Sequence, residues 1–115
     1  MTWRKAICLR AGLGDLLEYE GYGGEKSLAS IKDTGLFILL NHSDCDGEML
    51  PAECKLVADS LTKLLPRLSG DYGGHIGDIK DKTIHFIDGC LLAYRKRQKL
   101  IIQIERGITP FYLNN

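Results

Sequence analysis

Asn41-His42-Ser43-Asp44-Cys45-Asp46-Gly47-Glu48-Met49-Leu50-Pro51-Ala52-Glu53 is the stretch on which the layout of the chain turns. Four acidic groups, an imidazole and a thiol crowd beside one glycine, and no other stretch is as polar. The spacing follows the calcium-loop template of alternating carboxylates, glycine and a closing glutamate, in which alternate side chains of a tightly coiled loop point at one cation. His42 falls on the first ligand position, Asp44 on the third, Asp46 on the fifth, Gly47 on the sixth, Met49 on the apolar eighth and Glu53 on the twelfth. The backbone carbonyl of Glu48 takes the remaining ligand place. Glycine is needed where the chain turns through a conformation that a Cβ penalises. Pro51 starts the following helix, because proline at the first helical position loses no needed N–H, and Glu53 then lies in that helix's first turn.

Two features depart from the template. His42 offers nitrogen where a hard oxygen is expected, a donor better suited to zinc, nickel or copper than to calcium. There is also only one such loop: Gly70-Asp71-Tyr72-Gly73-Gly74-His75 has no comparable alternation of carboxylates. A loop of this make-up is expected to hold calcium weakly, roughly in the 10⁻⁴ to 10⁻³ M range. The competing reading is a structural turn, since Asp and Asn side chains hydrogen-bond nearby backbone N–H groups and Asp46-Gly47 is a common turn pair.

The run Leu39-Leu40-Asn41-His42-Ser43-Asp44-Cys45-Asp46-Gly47-Glu48, followed by Pro51, Glu53 and Cys54, resembles a motif of a family of small bacterial proteins with no assigned activity. The resemblance extends upstream to a helix of the Trp3-Arg4-Lys5-Ala6 kind and a Gly21-Tyr22-Gly23-Gly24 turn, and covers about residues 3 to 100. It implies no function. It does imply that the histidine at the head of the loop belongs to the pattern.

The 115 residues suffice for one domain, 1–115, with a real core. A hydrophobic fraction of 44% with 26% charged residues is that of an ordinary globular protein. Lys+Arg and Asp+Glu both number 15, so no global field recruits nucleic acid or an acidic membrane. No apolar run is long enough for a membrane helix, and Met1-Thr2-Trp3-Arg4-Lys5 leads into an amphipathic pattern instead of a signal peptide, so a cytoplasmic location is expected.

Cys8, Cys45, Cys54 and Cys90 form no C-x-x-C pair, so neither a zinc ribbon nor a thioredoxin-type site is written here. Cys8, Cys54 and Cys90 fall on or beside apolar helical positions, where a thiol acts as a small hydrophobe. Cys45 stands three residues after His42, a spacing at which two ligands can share one zinc, and zinc is the lesser alternative to calcium. A Cys45–His42 catalytic pair lacks a third group to orient the base.

Thr2 caps a first helix to about Ala11, with Trp3, Ala6 and Ile7 on the inward face, and Gly12 and Gly14 stop it. Asp15 restarts a short helical segment over Leu16–Glu20, the Gly21–Gly24 turn is held by Tyr22, and Ser27 caps another turn over Leu28–Ile31. Leu36-Phe37-Ile38-Leu39-Leu40 is continuous apolar sequence, too short for periodicity to separate strand from helix, although a calcium hand would require a helix there. From Pro51 to about Leu65, Cys54, Val57, Ala58, Leu61, Leu64 and Leu65 share one face of a helix that Pro66 ends. Ser69–Asp78 reads as loop, with His75 on the surface. Asp81 is expected to cap a last helix over about Lys82–Gln98, with Ile84, Ile87, Cys90, Leu91 and Tyr94 inward. Its C-terminal run Arg95-Lys96-Arg97-Gln98-Lys99 suits the helix dipole better than a nucleic-acid patch, because no aromatic platform interleaves it. Leu100–Ile104 reads as a strand and Phe111–Leu113 as a second short one.

The expected architecture is mainly α, three principal helices with a minor β element that pairs with Leu36–Leu40, and α+β as the alternative. Three function classes follow. The first is a small binding or regulatory protein whose loop holds a divalent cation through His42, Asp44, Asp46, Glu48 and Glu53. The second is a metal-free protein-interaction module with a rigid polar loop and a partner edge over Leu100–Leu113. The weakest is an enzyme using His42, Asp44 and Cys45, since no cofactor motif accompanies them.

Overall fold

The structure is a computed structural model and describes residues 2–41, 47–68, 78–102 and 111–114. It is mainly helical with a small sheet. Helix α1 spans Trp3–Arg10, α2 Thr34–Asn41, α3 Pro51–Leu64 and α4 Ile79–Lys96. Short 3-10 turns lie at Leu16–Glu18, Leu28–Ser30 and Leu65–Arg67. Strands β1 (Gly47–Met49), β2 (Lys99–Ile102) and β3 (Phe111–Asn114) form one antiparallel sheet in the order β1-β2-β3.

The helices start where local chemistry satisfies their first N–H groups. Thr2 accepts from Lys5 N at 3.3 Å, Asp33 from Leu36 N at 3.1 Å, and Asp78 from Asp81 N at 3.0 Å. Asp78, and not Asp81, is therefore the cap of α4, and the helix begins three residues earlier than the sequence implied. Ile87 and Cys90 are buried as expected, together with Ile79, Thr83, Phe86 and Ala93, whereas Ile84 and Tyr94, expected inward, are exposed. Arg97 closes α4 in the left-handed conformation at φ 55°.

The apolar run Leu36–Leu40 is helical and does not pair with the C-terminal strand. Asp33 decides the matter locally by capping the segment, and its side chain also accepts from the Ser60 hydroxyl on α3. The strand partner is β1, in the register Gly47↔Ile102, Glu48↔Ile101 and Met49↔Leu100. Gly35 lets α2 lie directly against α3: a Cβ there would stand 2.1 Å from Ser60 Oγ and 2.3 Å from Leu56 O.

The core joins all four helices and the inward side of the sheet, including Trp3, Ile7, Leu39, Leu40, Met49, Leu61, Phe86 and Leu100. Trp3 fastens α1 to α4. Its Nε1 donates to Thr83 Oγ1 at 2.9 Å, and its ring lies 4.9 Å from that of Phe86 at an interplanar angle of 47°. Among the described residues no helix is long and apolar enough to cross a membrane.

Candidate functional site

The polar stretch is flanked by two helices. Helix α2 runs to Asn41, and α3 begins at Pro51 with Glu53 in its first turn. Between them, β1 occupies the template's glycine position and the two after it, Gly47–Met49. Of the predicted ligands, His42, Asp44 and Asp46 lie outside the described residues, as does Cys45. Glu48 and Glu53 are described, and the structure gives each of them a partner.

Glu53 completes the start of α3. Leu50 precedes Pro51 and carries no side-chain acceptor, so the reciprocal half of a capping box stands alone: Glu53 Oε1 accepts from Leu50 N at 2.9 Å. The carboxylate thus lies against the residue that leads into the helix. Glu48 lies on the outward face of β1, and its side chain pairs with Lys99 Nζ at 3.4 Å across the β1–β2 ladder. Both of these side chains are about half exposed, so the pair contributes little to stability. The Glu48 carboxylate is thereby engaged with β2. Among the described residues no group of three or more His, Cys, Asp or Glu side chains is gathered to hold a metal.

The C-terminal end of α2, directly before His42, is held by two side chains from earlier in the chain. Arg4, only 1% exposed, donates from Nη1 to Leu39 O at 3.2 Å. Tyr22 donates its hydroxyl to Leu40 O. Arg4 Cζ stands 5.6 Å from the centroid of the Tyr22 ring. The two carbonyls have no partner within α2 because the helix ends there, and a buried guanidinium at a helix C-terminus also meets the negative end of its dipole. The expected packing role of Tyr22 is realised through this bond. Arg4 was not visible as an inward residue, because a basic side chain in an amphipathic helix reads as solvent-facing.

The exit side of the loop is backed by sulfur. Cys54 and Cys90 are fully buried, as is Cys8, in accord with their apolar positions. Cys54 Sγ donates to Met49 O at 3.8 Å. Donation by Cys90 holds the Cys54 thiol below its ordinary range, although burial and Glu53 push the other way. Cys90 is pushed up by the same bond and by burial. The sequence placed each thiol inward on its own helix but did not bring them together.

The C-terminal β element also differs from expectation in its edges. Strand β2 is central, with β1 on one side and β3 on the other, so Leu100–Ile102 presents no open ladder. His75 and the segment Gln103–Pro110 lie outside the described residues. Comparison of the chain with protein-family models, with curated proteins and with solved structures finds no match.

Proposed function

We propose that this chain is a small binding or regulatory protein whose 42–53 loop takes a divalent cation, calcium before zinc, with weak affinity. The observation that carries the reading is the setting of the loop: α2 ends at Asn41 and α3 opens with Pro51, with Glu53 in its first turn. A short strand follows the template's glycine, as the template's apolar eighth position, here the buried Met49, requires. Asp44, Asp46, Glu53 and the Glu48 carbonyl would supply the oxygen donors, with His42 at the head. A bound cation would supply charge neutralisation and a fixed distance between α2 and α3. Glu53 would hold the ion from the position in which it accepts from Leu50 N–H. Free buried thiols at Cys8, Cys54 and Cys90 fit a reducing, cytoplasmic setting.

Calorimetric titration of chelator-treated protein with calcium, then magnesium and zinc, tests the proposal. Saturable calcium binding with a Kd of about 10⁻⁴ to 10⁻³ M is expected. It should be lost in Glu53→Gln, which keeps an acceptor for Leu50 N–H but removes the charge. No heat with any of the three metals at millimolar concentration would sink the reading.

A second reading, a metal-free interaction module with a structural loop, is favoured by Arg4. This permanent cation lies within a turn of the head of the loop, on Leu39 O, where it opposes an incoming divalent ion and suits carboxylates that need a counter-charge. In that case the partner edge is β3 instead of the central β2, and charged substitutions along Phe111–Asn114 should weaken association where Glu53→Gln does not.

A further inference from the structure

The end of α1, the start of α2 and the last turn of α3 border an open cavity of about 230 Å³. Its apolar lining is Ala11, Leu36 and Leu64, and its polar lining is Asp33, Ser60, Lys63 and Arg67. The Asp33 carboxylate is fixed in place by the fold. Its Oδ1 accepts from Leu36 N at 3.1 Å and from the Ser60 hydroxyl at 2.5 Å, and among the described residues its Oδ2 takes no hydrogen bond. A carboxylate has about four lone-pair sites, so Asp33 keeps capacity for a further donor.

The two cations lack the partners that their positions would ordinarily give them. Lys63 and Arg67 stand four residues apart over the end of α3 and the turn that follows, a spacing at which like charges are neighbours and repel. One turn before Lys63 stands Asp59, but it is taken by Lys55 at 2.6 Å. Among the described residues no carboxylate pairs with Lys63 or Arg67, Asp33 included. The dipole of α3 favours basic residues in its last turn. It does not account for a fixed carboxylate and an apolar surface lining the same cavity.

We propose that this cavity binds a free α-amino acid with an aliphatic side chain. The ligand's carboxylate bridges Lys63 and Arg67, its ammonium donates to Asp33 Oδ2, and its side chain covers Ala11, Leu36 and Leu64. An inorganic anion would leave Asp33 opposing it, and a simple cation would leave Lys63 and Arg67 opposing it. A small zwitterion meets all three charges at once. The cavity is smaller than the roughly 300–1,000 Å³ of sites that hold drug-sized molecules, which suits a ligand of this class. Its openness keeps the binding weak, with a Kd of about 1 mM. The site shares no residue with the 42–53 loop and needs no cation.

The test uses the full chain, isotope-labelled and treated with chelator so that it is independent of cation binding. Titration with L-leucine is followed by amide correlation spectra. Saturable shifts are expected at Ala11 and at residues 33–36 and 60–67. Isocaproate, which is leucine without its ammonium, and isoamylamine, which is leucine without its carboxylate, should each bind about tenfold more weakly or worse. The double variant Lys63→Gln/Arg67→Gln and the single variant Asp33→Asn should each weaken leucine binding by about tenfold. Lys63 and Arg67 are exposed, and asparagine keeps an acceptor for Leu36 N and Ser60, so both proteins should fold, as an unchanged far-ultraviolet spectrum would verify. Absence of a saturable shift up to about 20 mM leucine overturns the proposal. Isocaproate binding as tightly as leucine overturns it too, by making the cavity an anion site, and so does undiminished leucine binding in the folded double variant.

Discussion

Arg4 and Tyr22 show how single side chains outside the polar stretch set its starting point. Each satisfies one of the last carbonyls of α2, Leu39 O and Leu40 O respectively, which would otherwise be buried without a partner. Removing a charged donor from such a carbonyl costs about 1.5–3 kcal/mol and a neutral one about 1 kcal/mol. Arg4→Met should therefore lower the unfolding free energy by about 2–3 kcal/mol, and Tyr22→Phe by about 1 kcal/mol. Urea denaturation reads both, and an Arg4→Met protein as stable as the parent would show that the guanidinium is not needed at this end of α2. Of these two residues the sequence exposes only one. Tyr22 is an aromatic among glycines and so marks itself as an anchor. Arg4 lies beside Trp3 and one turn before Cys8, but nothing local distinguishes a buried guanidinium from a solvated one. Its environment is made by carbonyls 35 positions away.

At the level of elements, the closest approach is between α2 and α3. Gly35→Ala gains helix propensity but places a methyl within 2.3 Å of Leu56 O and Ser60 Oγ, so the helices must separate. A net loss of about 1–3 kcal/mol is expected, and Ser60→Gly should recover part of it in the double variant by removing the nearer obstacle. Additive losses in that pair would refute the contact as the cause. The long helices were legible because their apolar periods and proline punctuation are local. The identity of α2 was not, since five consecutive apolar residues carry no period. Its helical state comes from the Asp33 cap and from α3. The α4 cap was misplaced for a related reason: Asp78 and Asp81 stand three apart, both able to accept an N–H, and Asp81 supplies the N–H that Asp78 accepts.

For the molecule as a whole, Cys8 gives stability a dependence on alkaline pH. Burial first, then the nearby Asp15, opposed by Lys26 and with Glu18 adding least, pushes its thiol from 9.0 up to about 11. The folded state then holds a proton that the unfolded chain has released, so this contribution is complete below pH 9 and is lost as pH rises through 11. The difference corresponds to about 2–3 kcal/mol, and Cys8→Ala should flatten the fall in thermal midpoint between pH 9 and 11. A slope unchanged in that variant would assign it to other groups. The candidate loop itself was legible in its spacing and in the helix after it. The strand inside it was not, because its hydrogen-bonding partner is β2, at Lys99–Ile102, and no short-range pattern announces a pairing at that separation. That pairing also has a consequence in time. A ribosome releases α2, the loop and α3 well before Lys99–Ile102, so the newly made loop has both flanking helices available but not the strand that completes its exit. In the nascent chain Met49 remains without its ladder partner Leu100 until synthesis has passed β2.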